Sequence, residues 1–463
     1  MRIRSALFLA GWCLSVATAA SAQVVRGGAL PAPLPIHPSN HWWNVDITAA
    51  PIDTNSASFI SFIGSNTGAW PDFGGDADPG NPNDPEIYGM VWITVPGSQP
   101  RVPVFFSPYG SQSDPGWPGL PSGYPIPPEA ITQPRWIEGG YPGNQNQGAD
   151  QHMLIVDRDA RVLYELWQTR YNSTLSRWEA GSGAIFALDS NDRRPDTWTS
   201  ADAAGLAILP GLVRYDEAFG TEPIRHALRV TVQSTNGYVH PASHQAGSTA
   251  GALPMGARLR LKAGKDISGY APAVRRIFQA MKTYGLIVAD NGSNLYVQGG
   301  YDTRWDNGVL NPAFSSLKAS DFDVIQLGWK PTSGPLGSSS SFHSLTPCRI
   351  LDTRNAAGIL GAPPLWPGKT RVLPIGGICG VPMGARSVSL NVTVVGAPAT
   401  GSVTLFGGDA VAPNTTTNSF SVGSTRANNT VINLSTDGTA TLSVKLNAAA
   451  AAHLVVDVNG YFQ

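Results

Sequence analysis

Apolar positions along this chain either alternate with polar ones or run continuously at strand length. Met153–Val156 and Arg161–Trp167 flank the polar Asp157-Arg158-Asp159, which predicts a β-hairpin with that triplet in its turn. Further strands are predicted at Met90–Val95, Val102–Phe106, Gly183–Leu188, Leu212–Tyr215, His226–Val232 and Ala257–Leu261. One segment breaks the period of two. Val274, Ile277, Phe278, Met281 and Tyr284 recur at three and four, predicting an amphipathic helix over Pro272–Tyr284 that closes at Gly285. A short capped helix is predicted between Asp53 and Gly64. Leu286–Asp290 and Leu295–Gln298, on either side of Asn291-Gly292, predict a second hairpin.

Residues 330–341 are rich in Ser, Gly and Pro and read as a linker. Beyond them Val388–Val394, Gly401–Phe406, Thr430–Leu434, Thr439–Val444 and His453–Val458 predict a compact antiparallel sandwich. The expected fold is therefore mainly β. A sandwich or jelly-roll-like N-terminal domain with a few packed helices spans 38–329, behind a Pro-rich segment at 23–37. A C-terminal antiparallel β-sandwich module spans 342–463. No repeat at blade spacing supports a propeller.

Composition agrees with many short strands: of 463 residues 51 are Gly, 38 are Pro and only 14% are charged. The formal net charge is -1 and no Lys/Arg block stands out, which argues against nucleic acid and anionic membrane surfaces as partners. The chain opens on a basic Met1-Arg2-Ile3-Arg4, an apolar Ala6–Val16 and Ala20-Ser21-Ala22. That order predicts a secretory signal cleaved after Ala22, a secreted protein, and no integral membrane segment in the mature chain. Cys348 and Cys379 are the cysteines left after cleavage, and in an exported protein they are expected to form a disulfide. No nucleotide or other cofactor is expected, and no metal.

Two resemblances follow from particular motifs. Thr346–Arg354, Cys379-Gly380-Val381-Pro382, Ser389–Thr393, Arg426–Asn429 and Asp457–Phe462 together resemble a β-module appended to many secreted bacterial proteins. The resemblance covers about the last 120 residues and implies an accessory or surface-associated role without catalytic residues. Trp198–Gly205, Pro210–Glu217, Arg225–Leu228, Pro254–Arg258 and Tyr284–Gly292 resemble blocks shared by a group of uncharacterised secreted bacterial proteins, and name no reaction.

Signatures of other enzymes are missing from the sequence: there is no G-x-S-x-G elbow, no H-E-x-x-H and no P-loop. What remains is a set of carboxylates and histidines in Trp-rich loops. Two carboxylates with separated pKa values are the minimum for acid/base cleavage of a glycosidic bond. Asp202 with Asp216 or Glu217 is the candidate pair; Trp198, Tyr215, His226, His244 and Asp290 are candidate substrate-binding residues. The plain structural alternative has Asp202 cap a turn, Asp216 pair with Arg214 or Arg225, and Asp290 hold the Asn-Gly turn. A metal site from His152, His226, His240 and His244 has no support from spacing. Asp157-Arg158-Asp159 lacks the ligand run of a calcium loop.

The expectation is thus a secreted glycoside hydrolase acting on extracellular polysaccharide. The alternatives are a non-catalytic glycan- or surface-binding protein, a polysaccharide lyase using Tyr215 with His226 or His244, and a metal-dependent hydrolase.

Overall fold

A computed structural model describes residues 23–74, 87–144, 150–331 and 341–463. The expected leader, residues 1–22, lies outside the described residues, as does most of the expected linker.

The chain runs through β1 (Val25–Arg26), α1 (Ser56–Ile63), β2 (Trp70–Asp72), β3 (Trp92–Val95), β4 (Val104–Phe106) and α2 (Glu129–Thr132). Next come β5 (Met153–Asp157), β6 (Val162–Trp167), β7 (Arg170–Asn172), β8 (Arg177–Ala180), β9 (Ser182–Ala187) and α3 (Tyr215–Ala218). There follow β10 (Leu228–Val232), β11 (Arg258–Leu261), α4 (Pro272–Thr283), β12 (Leu286–Asn291), β13 (Tyr296–Gln298), α5 (Asn307–Ser315) and β14 (Phe322–Val324). The C-terminal part contributes β15 (Phe342–Asp352), β16 (Thr370–Pro374), β17 (Ser387–Val395), β18 (Gly401–Gly407), β19 (Asn418–Phe420), β20 (Arg426–Asn433), β21 (Thr441–Ala448) and β22 (His453–Phe462).

The mainly β expectation holds. The first sheet has the order β1-β3-β5-β6-β9 and is covered on both faces. Alternation explains how: Met153 and Ile155 of β5 enter one apolar cluster with Trp117 and Tyr164, while Leu154 and Val156 enter another with Trp92 and Leu163. The second sheet has the order β14-β11-β12-β10-β13-β2. Its α4 side is packed by Val274, Ile277, Phe278 and Met281, the positions whose spacing predicted the helix. Gly285 ends that helix at φ 78, where a Cβ would meet the Leu259 carbonyl oxygen at 2.6 Å. The N-terminal sheets are mixed, with parallel pairs β3–β5, β10–β12, β2–β13 and β4–β8.

Two local expectations are corrected. β12 and β13 do not form a hairpin, because β10 lies between them, parallel to β12 and antiparallel to β13. Leu286–Ala289 is buried at every position, so the strand takes a neighbour on each side. Asn291 is spent on other loops, accepting from Thr235 Oγ1 at 3.0 Å and donating to the Ala246 carbonyl at 3.0 Å. Leu212–Tyr215 is not a strand. Glu217 accepts the Arg214 amide at 3.0 Å and closes the helical turn α3 instead.

The C-terminal strands form two four-stranded antiparallel sheets, β15-β22-β17-β20 and β16-β21-β18-β19, around one apolar cluster. Cys348 and Cys379 form the expected disulfide across 31 residues of sequence. Reducing it, or replacing both cysteines by serine, is expected to lower the stability of this sandwich by roughly 3–4 kcal/mol, since the open loop returns entropy to the unfolded chain. Urea unfolding with and without reductant measures the effect. The sandwich rests against the N-terminal sheets: Asp189 pairs with Arg371 at 3.1 Å, and Lys369 sits 4.6 Å over the Trp117 ring. Among the described residues no helix is long and apolar enough to cross a membrane.

Candidate active site

Alternation along the second sheet sorts its residues by face. Leu228, Val230 and Val232 of β10 and Val297 of β13 point to the α4 core. Arg229 and Gln298 therefore point the other way. Register aligns them, for Val230 pairs with Val297 and Gln298 pairs with Asp72. Asp72, Gln298 and Arg229 thus form a polar row across three adjacent strands. The row before it on the same face carries Trp70 and Tyr296, whose rings stack 6.2 Å apart at 28°.

Arg229 is fully buried and holds two carboxylates: Nε donates to Asp202 at 2.8 Å and Nη2 to Asp290 at 3.0 Å. Its Nη1 has no hydrogen-bond partner among the described residues. Burial pushes the Asp202 and Asp290 carboxyls up, against the downward pull of the guanidinium.

A second group enters from the first sheet. His152, at the start of β5, faces Glu138 through Nδ1 at 2.6 Å and the Ala201 carbonyl through Nε2 at 3.0 Å. Both ring nitrogens meet acceptors, so the ring is held as an imidazolium. Burial alone would lower its pKa, but the Glu138 charge and hydrogen bond raise it to about 9. In return, and against its own burial, Glu138 is held below the usual carboxylate range by His152 and Arg229. Asp72 moves oppositely: burial and the nearby Glu138 charge push it up, more than Gln298 and Arg229 pull it down. Beneath them lies the buried Glu165. It accepts the Ile208 and Leu209 amides at 2.8 and 2.9 Å, and burial still carries it to about 7.

The cluster is not sealed. The Glu138 and Asp290 side chains keep 19% and 26% of their surface, Asp150 is exposed, and Trp70 is 38% exposed beside Asp72. A lowered carboxylate and a raised one in one partly open cluster, next to an aromatic platform, can divide the roles of base and acid.

The ion pair makes a testable contribution to stability. Because the folded His152 pKa of about 9 lies above its ordinary 6.5, the stabilisation is complete below pH 6.5 and is lost as pH rises through about 9. The loss is expected to be on the order of 3 kcal/mol. Urea midpoints at pH 7 and pH 10 should converge for His152→Gln and diverge for the parent chain.

The residues predicted from sequence fall into separate places. Asp202 is buried under Arg229, and its Oδ1 accepts the Ala204 amide at 2.7 Å. Glu217 is 13% exposed in a different cavity of about 360 Å³. There it binds Arg214 at 2.6 Å and His226 Nε2 at 3.0 Å, and these hold its carboxyl low against burial. Asp216 is 62% exposed and 3.5 Å from Arg214. The structure does not bring Asp202 into the Glu217 cavity. Tyr215 stacks on Phe219 at 4.2 Å under the Arg304 guanidinium, and Trp198 lies beneath Arg194. His244 bonds the Ala203 carbonyl at 2.8 Å. Asp290 joins the Arg229 cluster and also accepts the Asn291 amide at 2.8 Å. Among the described residues no group of three His, Cys, Asp or Glu could hold a metal.

Asp72, Glu138, Glu165 and Arg229 were missed. A signal existed for Arg229, a charged residue inside the apolar run Leu228–Val232, which implies a buried counter-charge. Glu138 sits between Trp136-Ile137 and Gly139-Gly140 with no pattern that marks it.

No known family model matches the chain, and no curated protein matches it. A solved structure similar to part of it is the coat protein of tobacco streak virus, at 12% identity and a TM-score of 0.15, over 27% of this chain and 89% of that one. That score carries no argument about fold or function.

Proposed function

We propose that this protein is a secreted glycoside hydrolase in which Asp72 is the acid and then the base, and Glu138 is the ionised carboxylate that stabilises the reacting sugar. The observation that carries the reading is the opposite displacement of these two carboxyls in one partly open cluster. Asp72 delivers its proton to the leaving glycosidic oxygen. Glu138, ionised and braced by His152, stabilises positive charge at the anomeric carbon. Water then gives its hydroxyl to that carbon and returns a proton to Asp72. Trp70 and Tyr296 supply a flat apolar face for a neighbouring sugar ring. Export, read from residues 1–22, puts extracellular polysaccharide within reach, and the C-terminal sandwich is an accessory module.

The test is a screen of the purified chain on a polysaccharide panel, reading reducing ends and ultraviolet absorbance together. New reducing ends without absorbance support hydrolysis; absorbance indicates a lyase. Neither signal across a broad panel returns the protein to the glycan-binding reading. That reading is favoured by one observation: His152 and Arg229 are already paired with carboxylates, as in a structural charge network.

A further inference from the structure

The junction between the N-terminal sheets and the C-terminal sandwich holds an open cavity of about 740 Å³, lined by none of the Glu138 cluster residues. Its volume falls within the range of small-ligand sites, about 300–1,000 Å³. The N-terminal wall carries Trp42, Trp329, His240, Arg258 and Lys330.

Arg258 is the unusual member. It is 8% exposed, yet no carboxylate among the described residues lies within 4.0 Å of it. Its Nη2 donates to the Trp42 carbonyl, while Nη1 has no partner. Burial alone lowers its pKa to about 10. Desolvating a guanidinium costs several kcal/mol unless an opposite charge compensates. Among the described residues no such charge stands beside it. Instead, the surroundings add like charge. Burial, followed by the fields of Lys330, Arg258 and Arg193, drives His240 down to about 3.

Among the described residues three more buried polar atoms on this wall lack partners, Trp42 Nε1, His240 Nδ1 and Asn191 Oδ1. Two are on rings that also offer flat faces. Trp42 is fixed from behind by His41 at 3.8 Å, itself stacked on His37 at 3.9 Å. The opposite wall carries Asp409 and Asp437, which accept hydrogen bonds from Thr436 and Thr439. The cavity therefore sets a buried guanidinium with no carboxylate partner among the described residues, and two indole rings, on one wall, and two carboxylates on the other.

We infer that this junction cavity binds an acidic sugar unit of a glycan chain, its carboxylate on Arg258 and its ring against Trp42 and Trp329. A guanidinium pairs with a carboxylate through a matched fork of N–H groups. Indole faces suit the C–H side of a pyranose. A small inorganic anion would satisfy Arg258 but leave the aromatic wall and the remaining volume unused. The inference does not rest on the hydrolase reading, since none of these residues belongs to the Glu138 cluster.

The experiment titrates the full chain with a galacturonate trisaccharide, its neutral galactose counterpart and sodium sulfate, by calorimetry and tryptophan fluorescence. The acidic trisaccharide is expected to bind at least about tenfold more tightly than the neutral one, a difference of about 1.4 kcal/mol. Arg258→Gln should remove that preference. Trp329→Ala, at a half-buried position, should weaken both sugars without unfolding the protein. Asp216→Asn, at an exposed position that belongs to neither this cavity nor the Glu138 cluster, should leave binding unchanged. Equal affinity for both sugars, sulfate binding as tight as the trisaccharide, an unchanged preference in Arg258→Gln, or no binding at all would each overturn the inference. If Arg258→Gln fails to fold, the Trp329→Ala and neutral-sugar arms still decide it.

Discussion

Glu138→Gln and Asp72→Asn are each expected to lower turnover by about 10²–10⁴-fold on any polysaccharide the chain cleaves. The two losses should differ in their dependence on pH. Catalysis needs Glu138 ionised, and its carboxyl is displaced downward, so the parent enzyme should lose activity only at the acidic extreme. It also needs Asp72 protonated, and that carboxyl is displaced upward, so activity should fall as pH rises through the raised value. In Asp72→Asn the alkaline limb should disappear from what activity remains. Glu138→Gln leaves His152 without its counter-ion, so a melting curve must accompany the rate. Asp216→Asn, at an exposed position, should leave turnover within about twofold of the parent. Full activity in both Glu138→Gln and Asp72→Asn would remove these residues from the reaction.

Arg229→Met should destabilise the N-terminal sheets by about 3–5 kcal/mol, because it strands Asp202 and Asp290 without their shared cation. The cost arises mainly from Asp202, whose side chain has no surface left to water. Combining Arg229→Met with Asp202→Asn should therefore cost less than the sum of the single changes. Urea unfolding at pH 7 measures all three. A single-variant loss below about 1 kcal/mol would mean that the buried carboxylates find other partners.

The sequence was most legible where one apolar pattern had one structural answer. The helix over Pro272–Thr283 followed from its three-and-four spacing, the β5–β6 hairpin from two runs around Asp157-Arg158-Asp159, and the disulfide from two cysteines. Asn291-Gly292 misled, because a turn dipeptide cannot reveal that β10 inserts between the strands it joins. Asp202, Asp216 and Glu217 are close in sequence, but two different arginines divide them: Asp202 goes to Arg229, the other two to Arg214. Asp72 and Arg229 come together through strand register between distant segments, Glu138 joins them from a turn through His152, and no motif records that.

The pairing of β2 with β13 has a consequence for biogenesis. Tyr296–Gln298 must be present before Trp70–Asp72 has an edge to join. Contacts across so long a separation form late, since a large loop must close before they contribute. The proposed acid and its aromatic neighbour are thus among the last parts of the N-terminal sheets to take their places. A ribosome-bound chain that has not yet emerged past Gln298 would hold His152 and Glu138 but no partner strand for Asp72, so the cluster stays incomplete during synthesis.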